Sequence, residues 1–139
     1  MNSDYIIDLE SIVPGQSFTM EVKITESMVK GFADLSGDYN PLHLDEEFAK
    51  KTRFKNKIVH GALTTSYFSS IFGNHLPGNG SIILELNYKF MLPILIDDIA
   101  KYKVTASKID YSKRIILFTL SCNVKKNIVI DGNAKLLCE

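Results

Sequence analysis

Gly61-Ala62-Leu63-Thr64-Thr65-Ser66-Tyr67-Phe68-Ser69-Ser70-Ile71-Phe72 carries no charge and is small or apolar nearly all round. A helix of that composition is buried rather than laid on a surface. The residues that follow read differently. Leu76-Pro77-Gly78-Asn79-Gly80 breaks the chain, and from Ser81 the apolar period changes to two. Ile82, Leu84, Leu86, Tyr88 and Phe90 alternate with Ser81, Glu85, Asn87 and Lys89. After Pro93, Ala100, Tyr102, Val104 and Ala106 alternate with Lys101, Lys103 and Thr105. Ile116, Phe118, Leu120, Cys122 and Val124 form a third such run. Ile128, Ile130, Ala134 and Leu136 suggest a fourth, with a bend or bulge at Asp131-Gly132. Asp110-Tyr111-Ser112 and Lys125-Lys126-Asn127 read as hairpin turns.

Working back from the apolar helix, Pro14-Gly15 is a turn before a strand from Ser17 to Ile24. Thr25 caps a helix from about Glu26 to Leu35, Gly37 ends it, and Pro41 forbids continuation. Asp38 to His43 therefore reads as a loop, and Asp45 caps a short helix from Glu46 to about Lys51. The order is one strand, helices, then four antiparallel strands. This is an α+β chain: a sheet with one solvated face and a long helix on the other.

The 139 residues suit a single domain, 1–139, able to bury its own core. Sixteen basic residues balance 16 acidic ones, so nothing in the overall charge favours nucleic acid. A local basic patch at Lys50, Lys51, Arg53, Lys55 and Lys57 suits an anionic ligand or a solvated helix end equally well. Cys122 and Cys138 lie in no metal-site spacing and read as packing residues in a reducing compartment. Met1 to Tyr5 lacks the basic start of a signal peptide, and no apolar run reaches membrane-spanning length. The expectation is a soluble, cytoplasmic protein.

The chemistry-bearing run is Phe32-Ala33-Asp34-Leu35-Ser36-Gly37-Asp38-Tyr39-Asn40-Pro41-Leu42-His43. It sets an acid, an amide and an imidazole at Asp38, Asn40 and His43. Histidine titrates near neutrality, and Asp38 can accept or orient a water proton. Pro41 stiffens the segment that holds them. The backbone N–H groups at Gly61 stand at the positive end of the apolar helix, a candidate oxyanion site where glycine lets a ligand approach closely. Each part has a plainer reading. Asp-x-Asn-Pro alone is a common turn composition. His43 alone is more often structural, His60 reads as a supporting residue beside the helix start, and Ser66, Ser69 and Ser70 can bond back to carbonyls. Their joint occurrence favours an enzyme.

Phe32-x-x-Leu35-Ser36-Gly37-Asp38-x-Asn40-Pro41-x-His43, with Ala49 after it, resembles the hydratase motif of the MaoC-like dehydratases. Ile58-Val59-His60-Gly61, Leu76-Pro77-Gly78-x-Gly80-Ser81-Ile82 and Phe90-x-x-Pro93 extend the likeness, which is nearest the single-domain (R)-specific enoyl-CoA hydratases. The resemblance implies a hot-dog fold, a curved antiparallel sheet wrapped around the central helix, and a homodimer of two such folds. It implies that Asp38 and His43 are the catalytic pair with Asn40 beside them. It also implies that Gly61 donates its N–H to a thioester oxygen and that Ser69 lines the site. Phe72 falls where close relatives often carry a smaller aliphatic residue, which hints at a shorter acyl pocket. No metal and no separate cofactor is implied, since coenzyme A belongs to the substrate.

The expected reaction is syn hydration of a trans-2-enoyl-CoA to an (R)-3-hydroxyacyl-CoA. Three alternatives share parts of this reading. One is a 3-hydroxyacyl-[acyl-carrier-protein] dehydratase with the carrier as partner. The others are a hot-dog thioesterase and a non-catalytic acyl-CoA-binding protein.

Overall fold

The structure is a computed structural model that describes residues 7–139, so the reading of Met1 to Tyr5 lies outside the described residues. The elements run β1 (Ser17–Lys23), α1 (Glu26–Ser36), α2 (Pro41–Leu44), α3 (Glu46–Lys50), α4 (Gly61–Asn74), β2 (Ser81–Phe90), β3 (Ile99–Asp110), β4 (Ile115–Val124) and β5 (Asn127–Cys138). All five strands join one antiparallel sheet in the order β1-β3-β4-β5-β2. Two tight hairpins build its centre. Asp110 Oδ1 accepts the Lys113 N–H at 3.0 Å in the first, and Lys125 takes a positive φ of 55° in the second.

The alternation expected of β3 and β4 decides what faces the core. Ala100, Tyr102, Val104 and Ala106 are buried, as are Ile116, Phe118, Leu120, Cys122 and Val124. Helix α4 lies on that face. The Phe68 ring meets Tyr102 edge-on with centroids 5.1 Å apart, and Phe72 sits 5.1 Å from Phe118. Burying aromatic side chains of this size supplies the dominant driving force, and their paired geometry adds roughly 0.5–1.5 kcal/mol for each pair. The helix is not buried all round. Leu63, Thr64, Phe68, Ile71 and Phe72 are covered, whereas Ala62, Ser66 and Ser69 stay open on the other side, because one sheet covers only one side of a helix.

Three other expectations shift. Pro41 opens a one-turn helix instead of holding a loop: proline suits the first helical position, and Asn40 caps it by accepting the Leu42 N–H at 3.1 Å. His43 therefore stands on α2. In β2 the simple alternation fails at a register shift between Ile83 and Glu85, so Ile83 pairs with Leu136 and Leu86 with Ala134. In β5 the irregularity falls at Val129, beside the Cys122/Asn123 register shift. Gly132 serves a different need: any Cβ there would collide with the Asn87 carbonyl oxygen of β2.

The segment around Asp38 is placed by its two flanks. Thr25 Oγ1 accepts the Met28 N–H to start α1, and Gly37 ends it with φ 79° and an N–H bond to the Ala33 carbonyl at 2.8 Å. Asp45 accepts the Phe48 N–H at 3.0 Å and starts α3. A bridge between Ile58 and Leu95 then leads into α4.

Candidate active site

Two chain segments meet here, the turn from Ser36 to His43 and the run Ile58 to Gly61. The turn is internally braced. Asp38 N–H donates to Ser36 Oγ at 3.1 Å, and Asn40 N–H donates to Asp38 Oδ1 at 3.1 Å. The backbone at Asn40 thus aims the Asp38 carboxylate, while the Asn40 side-chain oxygen is spent on the Leu42 cap. Asp38 and Asn40 are both exposed.

His43 is buried, and its Nδ1–H donates to the Ile58 carbonyl at 2.7 Å. A carbonyl only accepts, so that bond puts the ring hydrogen on Nδ1 and leaves Nε2 as an acceptor. Burial lowers the His43 pKa below 6.5; the bond to Ile58 opposes this, His60 adds to it, and Asp38 opposes it. A buried, neutral imidazole with a free lone pair results.

His60 follows two residues after Ile58 and is almost wholly buried, at 1% exposure. Its Nε2–H donates to the Asp38 backbone carbonyl at 3.0 Å. Its ring lies 3.9 Å from His43, tilted 31°, and 4.9 Å from Phe32. Donor atoms of Asp38, His43 and His60 all fall within 4.8 Å of one another. That composition could hold a divalent cation. One nitrogen of each ring donates to a backbone carbonyl, which leaves the lone pairs on His43 Nε2 and His60 Nδ1.

Gly61 begins α4, and the first N–H groups of a helix have no partner within it. Gly61 and His43 share the wall of an apolar cleft of about 250 Å³ with Phe54, Ile58, Thr64 and Phe90. Thr64 donates to the Gly61 carbonyl at 2.6 Å. The Phe90 ring stands so close over Gly61 that a Cβ there would lie 3.1 Å from its Cε1.

Residues 11–128 match the family described as MaoC like domain. The chain belongs to the MaoC-like dehydratase family. It is 37% identical to an (R)-specific enoyl-CoA hydratase of Rhodospirillum rubrum, over 92% of this chain and 89% of that one. It is 33% identical to a 3-hydroxybutyryl-CoA dehydratase of Methylorubrum extorquens, over 93% of this chain and 82% of the relative. The solved (R)-hydratase from A. caviae involved in PHA biosynthesis superposes with a TM-score of 0.90 at 34% identity, covering 94% of this chain and 99% of that one. The five-stranded curved sheet over α4 is the hot-dog fold of these MaoC-like hydratases.

Within this MaoC-like frame, Asp38 stands beside His43, and His43 shares the cleft wall with Gly61; Asp38 and Asn40 lie outside that lining. Ser69 and Phe72 stand elsewhere on α4. Ser69 is on the exposed side, and Phe72 is 1% exposed in the core against Phe118; neither lines the cleft. Sequence reasoning missed the Ile58 carbonyl as the partner of His43, because a backbone acceptor leaves no mark in residue type. It also missed Phe90 as the lid over Gly61, since strand alternation says nothing about what lies across a cleft. Of the basic patch, Lys50 pairs with Glu47 on the surface, and the half-buried Lys57 pairs with Glu26.

Proposed function

We propose that this protein catalyses the reversible syn hydration of trans-2-enoyl-CoA to (R)-3-hydroxyacyl-CoA. One observation carries the reading: a ligand atom of Asp38 lies within 4.8 Å of His43, and His43 shares an apolar cleft with the N-terminus of α4 at Gly61. The Asp38 carboxylate and His43 Nε2 are both acceptors. A single water can donate one O–H to each and present its lone pair to C3 of the enoyl thioester. The oxygen bonds to C3, and the pair takes the released proton. The electron pair of the double bond moves towards the thioester oxygen, where the Gly61 N–H and the helix dipole stabilise the developing enolate. The held proton then passes to C2 on the same face, which returns the pair to its starting state. Asn40 serves through its backbone N–H on Asp38 Oδ1. The reaction uses no metal and no cofactor beyond the coenzyme A of the substrate.

A cleft of about 250 Å³ is smaller than the roughly 300–1,000 Å³ of pockets for drug-sized ligands. This favours short acyl chains, as does the likeness to a 3-hydroxybutyryl-CoA dehydratase. The working form is a homodimer. Strand β2 is a sheet edge ten residues long with Ile82, Leu84, Leu86 and Phe90 exposed, and Met91 and Leu92 extend that apolar surface. Such an edge invites pairing with a second strand. The open side of α4, with Ala62, Ser66 and Ser69, is small enough for close approach by a second copy. Cys122 and Cys138 are free and buried, which agrees with a cytoplasmic site of action, and no helix among the described residues is long and apolar enough to cross a membrane.

The test is a panel of trans-2-enoyl-CoA substrates of increasing chain length, followed by loss of absorbance at the conjugated thioester band. Hydration of the four-carbon substrate is the expected result. Release of free thiol without hydration would replace this reading with thioester hydrolysis.

A further inference from the structure

His60 makes more of the site than a helix start requires. It precedes α4, yet its side chain caps none of the helix N–H groups. The ring turns away, to the loop 22 residues earlier, and donates from Nε2 to the carbonyl of Asp38. It lies between Phe32 of α1 and His43 of α2, and so touches the elements on both sides of Asp38 as well as Asp38 itself. The next residue is Gly61. One side chain thus bridges the proposed water-holding pair and the proposed oxyanion donor.

Its own chemistry excludes a direct part in proton transfer. Nε2–H is committed to a carbonyl, Nδ1 is buried without a partner, and the ring is 1% exposed. No ring nitrogen is left facing substrate or water. Leaving a buried polar atom unpartnered is unfavourable, and a leucine of similar bulk would avoid that cost. A histidine is justified here only if its remaining donor does something a leucine cannot.

We infer that His60 is a positioning residue: its Nε2–H on the Asp38 carbonyl fixes the Asp38–His43 pair relative to the Gly61 N–H. The inference rests on hydration as the reaction. The bonds from His43 to Ile58 and from Ile58 N–H to the Leu42 carbonyl, at 3.4 Å, hold α2. The bond from His60 reaches Asp38 itself. Without it Asp38 keeps, among the described residues, only the local bonds from its N–H to Ser36 and from Asn40 to its Oδ1, and these travel with the turn. Attack on C3 and charge on the thioester oxygen develop in the same step. Loose spacing between the pair and Gly61 therefore weakens the transition state more than the bound substrate.

Two substitutions separate positioning from packing. His60→Leu keeps the bulk and removes the donor. His60→Gln places an amide N–H where Nε2–H stood. Both are compared with the wild-type protein for melting temperature, kcat and KM on crotonyl-CoA. In His60→Leu, kcat falls by up to about a hundredfold, as a misplacement near 1 Å can cause, while KM stays close to wild type. In His60→Gln, most of the lost kcat returns, and the melting temperatures of the two variants agree. Equal kcat in the Leu and Gln variants, or a loss that follows melting temperature alone, would reduce His60 to packing and overturn the inference. A wild-type protein that hydrates no enoyl thioester would instead overturn the proposed reaction.

Discussion

Gly61→Ala keeps the backbone N–H but sets a methyl group beside it. The new Cβ would stand 3.1 Å from Phe90 Cε1 and 3.2 Å from Cζ, tighter than ordinary contact. Both residues form the wall of the cleft, so the methyl group intrudes where the thioester oxygen must reach the Gly61 N–H. The fold tolerates the change. The nearest contact is the far end of the Phe90 side chain, which can yield by the few tenths of an ångström required. Alanine also favours the helix over glycine by up to about 1 kcal/mol. Stability in urea should therefore stay within about 1 kcal/mol of wild type. A thioester oxygen held off that N–H forfeits one oxyanion donor, which costs about a hundredfold or more in kcat, or about 2.7 kcal/mol of transition-state stabilisation. Because oxygen charge peaks in the transition state, KM should move far less. The assay is crotonyl-CoA hydration followed at the thioester band, beside a denaturation curve of the same preparation. A stable Gly61→Ala protein with unchanged kcat would refute the oxyanion role.

Three further outcomes follow from the geometry. His43 must be neutral to accept from water, and burial lowers its pKa below 6.5, so the acid limb of kcat/KM should have its midpoint below that value. The same group contributes to stability in full above about pH 6.5, and that contribution is lost as the pH falls through its folded pKa. A midpoint above 6.5 in the kcat/KM profile would contradict the assigned state of the ring. On the β2 edge, Leu84→Lys with Leu86→Lys should convert a dimer to a monomer in light scattering after size exclusion. A dimer that survives both lysines would move the interface elsewhere.

The sheet was legible because β3 and β4 are half-buried strands with uninterrupted alternation, Ala100 to Ala106 and Ile116 to Val124. The edge of the sheet was not. The bulge near Leu84 and the break at Val129 are local slips in pairing that residue type hardly records. Gly132 was visible as a glycine, but its reason, the Asn87 carbonyl from another strand, was not. The reading of α4 as buried throughout was right for Phe68 and Phe72. It failed for Ser66 and Ser69, because composition cannot say whether one layer or two will cover a helix.

The site divides in the same way. Asp38, His43 and Gly61 stood out because their chemistry is carried by residue type and spacing. Asn40 carries an amide suited to hold water or substrate, yet in the structure its backbone N–H braces Asp38 and its side chain caps α2. The Ile58 carbonyl, which sets the His43 tautomer, is backbone and has no residue-type signature. His60 was visible as a histidine, but its bond to Asp38 spans 22 residues and exists only once the chain has folded.

The most direct test is crotonyl-CoA hydration by the wild-type protein and by Asp38→Asn, with chiral analysis of the product. The account predicts (R)-3-hydroxybutyryl-CoA from the wild type and, from a folded Asp38→Asn protein, a loss of roughly a hundredfold to ten-thousandfold, the range set by acid–base groups. An Asp38→Asn protein that hydrates at the wild-type rate, or a wild-type product of (S) configuration, would contradict it.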